Sequence, residues 1–143
     1  MKPYSRPLLI LVIHILFGLT AQAWLGDIVN LFAVFPNGQV GHTLDSFFRA
    51  IKAAGNMEIA HAVLGALLLF FAIAILVVSF RGATRKGARI CAIIGLIAIM
   101  SAAYGGIAFV FSGFKANGNS MQMAGSFIGA YASYFLVLYF NKR

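Results

Sequence analysis

The sequence predicts an all-α integral membrane protein, a four-helix bundle with both termini cytoplasmic and an amphipathic helix in the first outer loop. Three observations carry this reading. Four apolar runs are each long enough to cross a bilayer, which takes about 20 residues. Charged residues make up 10% of the 143-residue chain and the mean hydropathy is +0.92, whereas a soluble domain carries roughly 25% charge. The cations sit at the ends of the apolar runs, where they set orientation and meet anionic lipid head groups. A net charge of +8 distributed in this way does not point to nucleic acid. The lone cysteine, Cys91, has no intrachain partner and says nothing about redox compartment.

The chain reads as one membrane domain, 1–143. The first span covers about Pro7 to Leu25, with an apolar continuation toward Phe35. Lys2 and Arg6 precede it, and Ala21-Gln22-Ala23 resembles a signal-peptidase site. The segment reads as a retained helix or an uncleaved signal anchor. The second span runs from about Met57 to Phe80, the third from Ile90 to Phe111 and the fourth from Met121 to Phe140.

Direction follows from Lys and Arg. Lys2, Arg6, Arg81, Arg85, Lys86, Arg89, Lys142 and Arg143 fall on one side; Arg49, Lys52 and Lys115 fall on the other. Both termini and the basic 81–89 loop are therefore expected in the cytoplasm, at a plasma membrane, with the 26–56 connection outside.

Within that connection Leu44, Phe47, Phe48 and Ile51 recur at helical spacing, opposite Asp45, Arg49 and Lys52. Thr43 is placed to cap the start and Gly55-Asn56 to stop it. The helix is expected to lie at the interface or to fold over the bundle mouth. Small residues mark the expected inner seams: Gly18 between His14 and Gln22, then Ser101, Ala102, Gly105 and Gly106, then Gly125, Gly129 and Ser133.

Ionisable residues inside a span are costly and therefore informative. Glu58 and His61 stand i, i+3 at the outer start of the second span and share a face. An imidazole there can ligate haem iron, accept a proton or hydrogen-bond a neighbour. Glu58 is the candidate acid/base or orienting group, or a first-turn acid favoured by the helix dipole. His14 lies about 10 Å from the cytoplasmic end of its helix, too deep to share an iron with His61. The ligand candidates at the level of His61, itself the metal-ligand candidate, are Met121, Met123 and His42. The sequence carries no phosphate-binding loop, nucleophile elbow or Cys/His zinc spacing.

Glu58-Ile59-Ala60-His61, with Ala103-Tyr-Gly-Gly-Ile-Ala-Phe-Val-Phe111 closing the third span, resembles one half of haem A synthase over roughly residues 55–140. The resemblance implies a four-helix half with a helical first outer loop and a site at Glu58 and His61. The chain departs from that family at Ala62, where the family has Arg, and at 121–126, where the family's second haem-ligating His has no counterpart. The family's outer-loop cysteine pair and eight-span length are also missing, so a complete catalytic unit implies dimerisation.

Three functions are expected to compete. The first is a small b-type haem-binding or haem-handling protein, in electron transfer with quinone; if it is an enzyme, it is a haem-modifying or quinone-linked oxidoreductase. The second is a non-catalytic subunit of a larger, respiratory, membrane complex, or a homo-oligomer. The third is a small transporter or channel with His14, Gln22 and Tyr104 as its polar path.

Overall fold

The computed structural model describes residues 6–35, 40–81 and 84–141; the expectations resting on Lys2, Lys142 and Arg143 lie outside them. Five helices follow in order: α1 Arg6–Phe32, α2 Leu44–Ala54, α3 Asn56–Arg81, α4 Lys86–Phe111 and α5 Asn117–Asn141. The four long ones are long and apolar enough to cross a membrane. Large apolar side chains such as Phe17, Phe32, Phe70 and Ile128 stand exposed along them, as a hydrocarbon solvent permits.

Each long helix exceeds its apolar core. α1 continues past Leu25 through Gly26, Asp27 and Asn30 to Phe32, so the first seven residues of the expected loop are helical. None of them is Pro, so the backbone hydrogen-bond ladder runs on unbroken to the last turn, where the Val29 carbonyl accepts from the Ala33 amide just past the helix. α4 begins at Lys86 and α5 at Asn117, each about four residues ahead of its apolar run, because polar residues near the interface extend a helix at little cost.

The long helices form a ring in the order α1, α3, α4, α5; each touches its two neighbours and, among the described residues, the diagonals do not meet. α1 buries Leu8, Val12, Ile15, Leu19 and Val29, and α3 buries Glu58, Leu68, Ala72, Ile75 and Ser79. The alternating three- and four-residue spacing of these stripes is that of helices packed at a shallow angle. Gln22 and Gly26 continue the α1 stripe, and His61 and Gly65 continue that of α3.

The interior changes character along its length. At the end holding the chain termini it is mainly apolar, built from Val12, Ile15, Ala72, Ile75, Tyr134 and Val137, each 0% exposed, with the Tyr134 hydroxyl and Ser79 the polar groups buried among them. At the α2 end the same stripes carry Gln22, Glu58 and His61.

α2 forms as its pattern requires. Thr43 accepts from the Ser46 amide, and Ser46 returns a bond to the Thr43 amide, a reciprocal cap. Gly55, at φ 109°, ends the helix. Of its apolar face, Ile51 and Phe47 turn inward with Ala50 and Ala54, meeting Val110 and Phe114 alongside Phe35, Phe109 and Ala62. Leu44 and Phe48 point outward. α2 thus packs on α3 and α4, and half its apolar face is left for the bilayer interface.

The α4–α5 turn holds two left-handed residues, Gly113 at φ 67° and Phe114 at φ 62°. A bulky residue there costs about 1–2 kcal/mol. The Phe114 ring offsets it by stacking on Phe35 at 4.5 Å, with Phe109 edge-on to both.

Candidate functional site

The polar residues of the α2 end are organised as two clamps, one across each antiparallel helix pair. In the first, the Gln22 Nε2 amide donates to the His61 carbonyl at 3.1 Å and to His61 Nε2 at 3.2 Å. An amide nitrogen only donates, so Nε2 is the acceptor and the neutral ring carries its proton on Nδ1. Glycines allow this approach. A Cβ on Gly65 would lie 3.4 Å from Gln22 Nε2, and one on Gly26 would lie 3.2 Å from His61 Cε1. A turn farther down, Gly18 receives Leu68.

In the second clamp, Gln122 Nε2 of α5 donates to the Ser101 carbonyl at 3.3 Å and to Ser101 Oγ at 3.2 Å, while Ser126 Oγ donates to Ser101 Oγ at 3.0 Å. Gly105 and Gly106 sit against Met123, and Gly95 sits against the Tyr134 ring.

The clamps share a chemistry and differ in satisfaction. No atom of the second is a buried, unpaired donor or acceptor among the described residues. The first leaves two such atoms, His61 Nδ1 and Gln22 Oε1. One turn toward the α2 end Glu58, 8% exposed, has no hydrogen bond or ion pair with any described residue. A buried unpaired polar group costs about 1–3 kcal/mol; His61 Nδ1 and Gln22 Oε1 carry that cost while enclosed in the seam against Gly26 and Gly65, as do Ser79 Oγ, the Tyr134 hydroxyl and Asn141 Nδ2 elsewhere in the bundle.

Other sequence candidates lie elsewhere. His14 is exposed, donates Nδ1–H to the Ile10 carbonyl at 2.7 Å and stacks on Phe71, ten residues and about 15 Å along α3 from His61. It belongs to an outward face, not to the expected inner seam. Tyr104, 67% exposed, lines a surface depression with His42, so His14, Gln22 and Tyr104 form no common path. His42 rests on Phe111 at 5.3 Å. Met121 is 75% exposed, whereas Met123 packs on α4. Of the expected α5 seam, Gly129 and Ser133 face inward, while Gly125 opens outward with nothing near its Cβ position.

His61, Met121, Met123 and His42 are therefore not brought together. Nε2 of His61 is occupied by Gln22, and the Cε1–Nδ1 edge lies against Gly26. As placed, these four residues do not fit one haem. Among the described residues no three His, Cys, Asp or Glu side chains are grouped to hold a metal ion.

Sequence reasoning singled out His61, Glu58 and Gln22 but missed their glycine partners. A readable signal existed: Gly26 stands four residues after Gln22, and Gly65 four after His61. No family model, curated protein or solved structure matches the chain.

Proposed function

We propose that this chain is a four-span plasma-membrane protein, with both termini cytoplasmic, that binds the hydroxyl or carbonyl head of a lipid-soluble molecule of the quinol class. The site is Gln22, Glu58 and His61, and the observation that supports it is the pair of unpaired buried atoms there. His61 Nδ1–H asks for an acceptor and Gln22 Oε1 for a donor; a hydroxyl group offers both. Glu58, one turn away, is the proton acceptor or donor for that head group.

The chain's single tryptophan, Trp24, is two residues from Gln22 and reports occupancy. In nanodiscs, a short-chain quinone is expected to quench Trp24 with a saturable component above the linear collisional one. His61→Gln weakens the saturable component about tenfold, the value of one hydrogen bond in a desolvated site. Glu58→Gln leaves binding in place and flattens its pH dependence. Purely linear quenching that is indifferent to His61 would sink the proposal.

A second reading, b-type haem held by His61, is supported by the unprotonated Nε2, the form that ligates iron. It requires Gln22 to swing aside and another ligand to come from outside the set above. A reduced-minus-oxidised spectrum of the purified protein decides it: absence of a Soret band, with no haem extracted, ends that reading.

A further inference from the structure

We infer that the surface recess between His42 and the outward face of α4 binds the ring of a lipid-soluble carbonyl compound of the quinone class, at the level of the bilayer boundary. This second site lies apart from the Gln22–His61 seam and does not depend on it.

The outward stripe of α4 runs through Ile93, Ile97, Met100, Tyr104 and Ile107, all exposed. Tyr104 carries the one polar group among them. α4 has 26 residues, about 39 Å of helix, so a ~30 Å hydrocarbon core centred on it ends near Ala108. Tyr104 stands about 6 Å inside that boundary and Phe111 about 5 Å outside it. Here the stripe does not run flat into lipid. The stretch ahead of α2 comes against its outer end, with the His42 ring 5.3 Å from that of Phe111. A recess of about 510 Å³ is left between His42, Tyr104, Ile107, Ala108 and Phe111. That volume is in the range of small-molecule pockets, roughly 300–1,000 Å³.

The polar groups of the recess are few and accessible. Neither His42 nor Tyr104 has a hydrogen bond or ion pair among the described residues. Ser112, at the rim, is already engaged: its Oγ donates to the Phe109 carbonyl at 2.7 Å and accepts from the Lys115 and Ala116 amides. A tyrosine near the boundary is common as an interfacial anchor, but this one shares its recess with an imidazole. A phenol O–H and an imidazole N–H are two donors on otherwise apolar walls, which suits a ring bearing two carbonyl oxygens. Phe111, with His42 at 5.3 Å and Phe47 at 5.5 Å, adds an aromatic wall that favours a flat unsaturated ring over a saturated chain. The tail of such a molecule follows Met100 and Ile97 down the stripe into the hydrocarbon. The other surface groove, about 420 Å³ on α5 beside Phe127, Ile128 and Phe135, is almost wholly apolar and lacks this pairing.

An azido-substituted short-chain quinone, photolysed with the full chain in nanodiscs, tests the site by where its adducts fall. They are expected within 40–47 and 104–111. Excess unmodified quinone should reduce them about tenfold, and excess saturated long-chain alcohol should leave them unchanged. His42→Ala and Tyr104→Phe should each reduce them about tenfold, the value of one hydrogen bond. Both side chains are exposed, so neither variant disturbs the bundle. Ile107→Trp, which fills the recess and removes no polar group, should abolish the adducts as well. Labelling that the alcohol competes away overturns the inference, and so does labelling spread over all lipid-facing helices and indifferent to quinone, since the recess then holds surrounding lipid only. Adducts confined to α1 and α3 around Gln22 overturn it too. The two sites fail separately. Trp24 is on α1, diagonal to α4 in the ring, so its saturable quenching should survive His42→Ala and Tyr104→Phe, and recess labelling should survive Gln22→Leu with His61→Leu. If the quenching is purely linear while recess labelling holds, the seam reading falls and the recess stands.

Discussion

The α1–α3 and α4–α5 pairs use one device, a glutamine amide that grips both the carbonyl and the side chain of a residue across an antiparallel seam. In α4–α5 the gripped residue is a serine and the group is complete. In α1–α3 it is a histidine, and the grip leaves Nδ1 and Oε1 unanswered. The difference is one of satisfaction: the hydroxyl version closes on itself, whereas the imidazole version leaves one donor and one acceptor enclosed and unpaired, which is the basis of the binding proposed above.

The largest expected effect breaks the packing of the complete pair. Gly95→Val puts a Cβ 2.7 Å from Tyr134 Cζ, in a ring with nowhere to go, and should cost about 3 kcal/mol when unfolding is followed in mixed micelles by titrating a denaturing detergent. Gly18→Ala in the other pair meets only the tip of Leu68 at 2.9 Å; with the propensity gain of about 1 kcal/mol for Ala over Gly, stability should hold within ~1 kcal/mol.

Next, Gln122→Leu strips Ser101 of a partner and should lower stability by about 1–2 kcal/mol, whereas Gln22→Leu, which also removes an unpaired atom, should change it by under ~0.5 kcal/mol. Equal losses from the two would mean that both clamps are merely structural. The double variant Gln22→Leu with His61→Leu sharpens the contrast: it should melt higher than the parent by about 1 kcal/mol while abolishing saturable quenching of Trp24. At the small end, His14→Leu should leave quenching and stability within error, because that ring is exposed and bonded to its own helix.

The helices were legible because their causes are local. Thr43, Gly55 and the 44–47–48–51 pattern specify α2, and hydropathy marks all four long helices. The site was legible only in part. Glu58 and His61 announce themselves as costly residues in an apolar run, but the grip of Gln22 on His61 joins residues 39 apart and depends on which face each helix turns inward. His14 was misplaced for a related reason. His14, Gly18 and Gln22 are each four apart, and every such step drifts about 40° around a helix of 3.6 residues per turn. By His14 the stripe has left the interior line of Leu8, Val12, Ile15 and Leu19. Of the satisfied clamp only Ser101 was legible, as a small residue of the expected seam; its partners Gln122 and Ser126 are ordinary residues until they meet it.

The graded interior also bears on membrane voltage. His61 is five residues into α3, about 7.5 Å from its start, or roughly a quarter of a ~30 Å hydrocarbon core. A charge arriving at the site therefore crosses about a quarter of the transmembrane field, worth ~0.6 kcal/mol at 100 mV. Under the proposed function, the site would work almost equally well in energised and de-energised membranes.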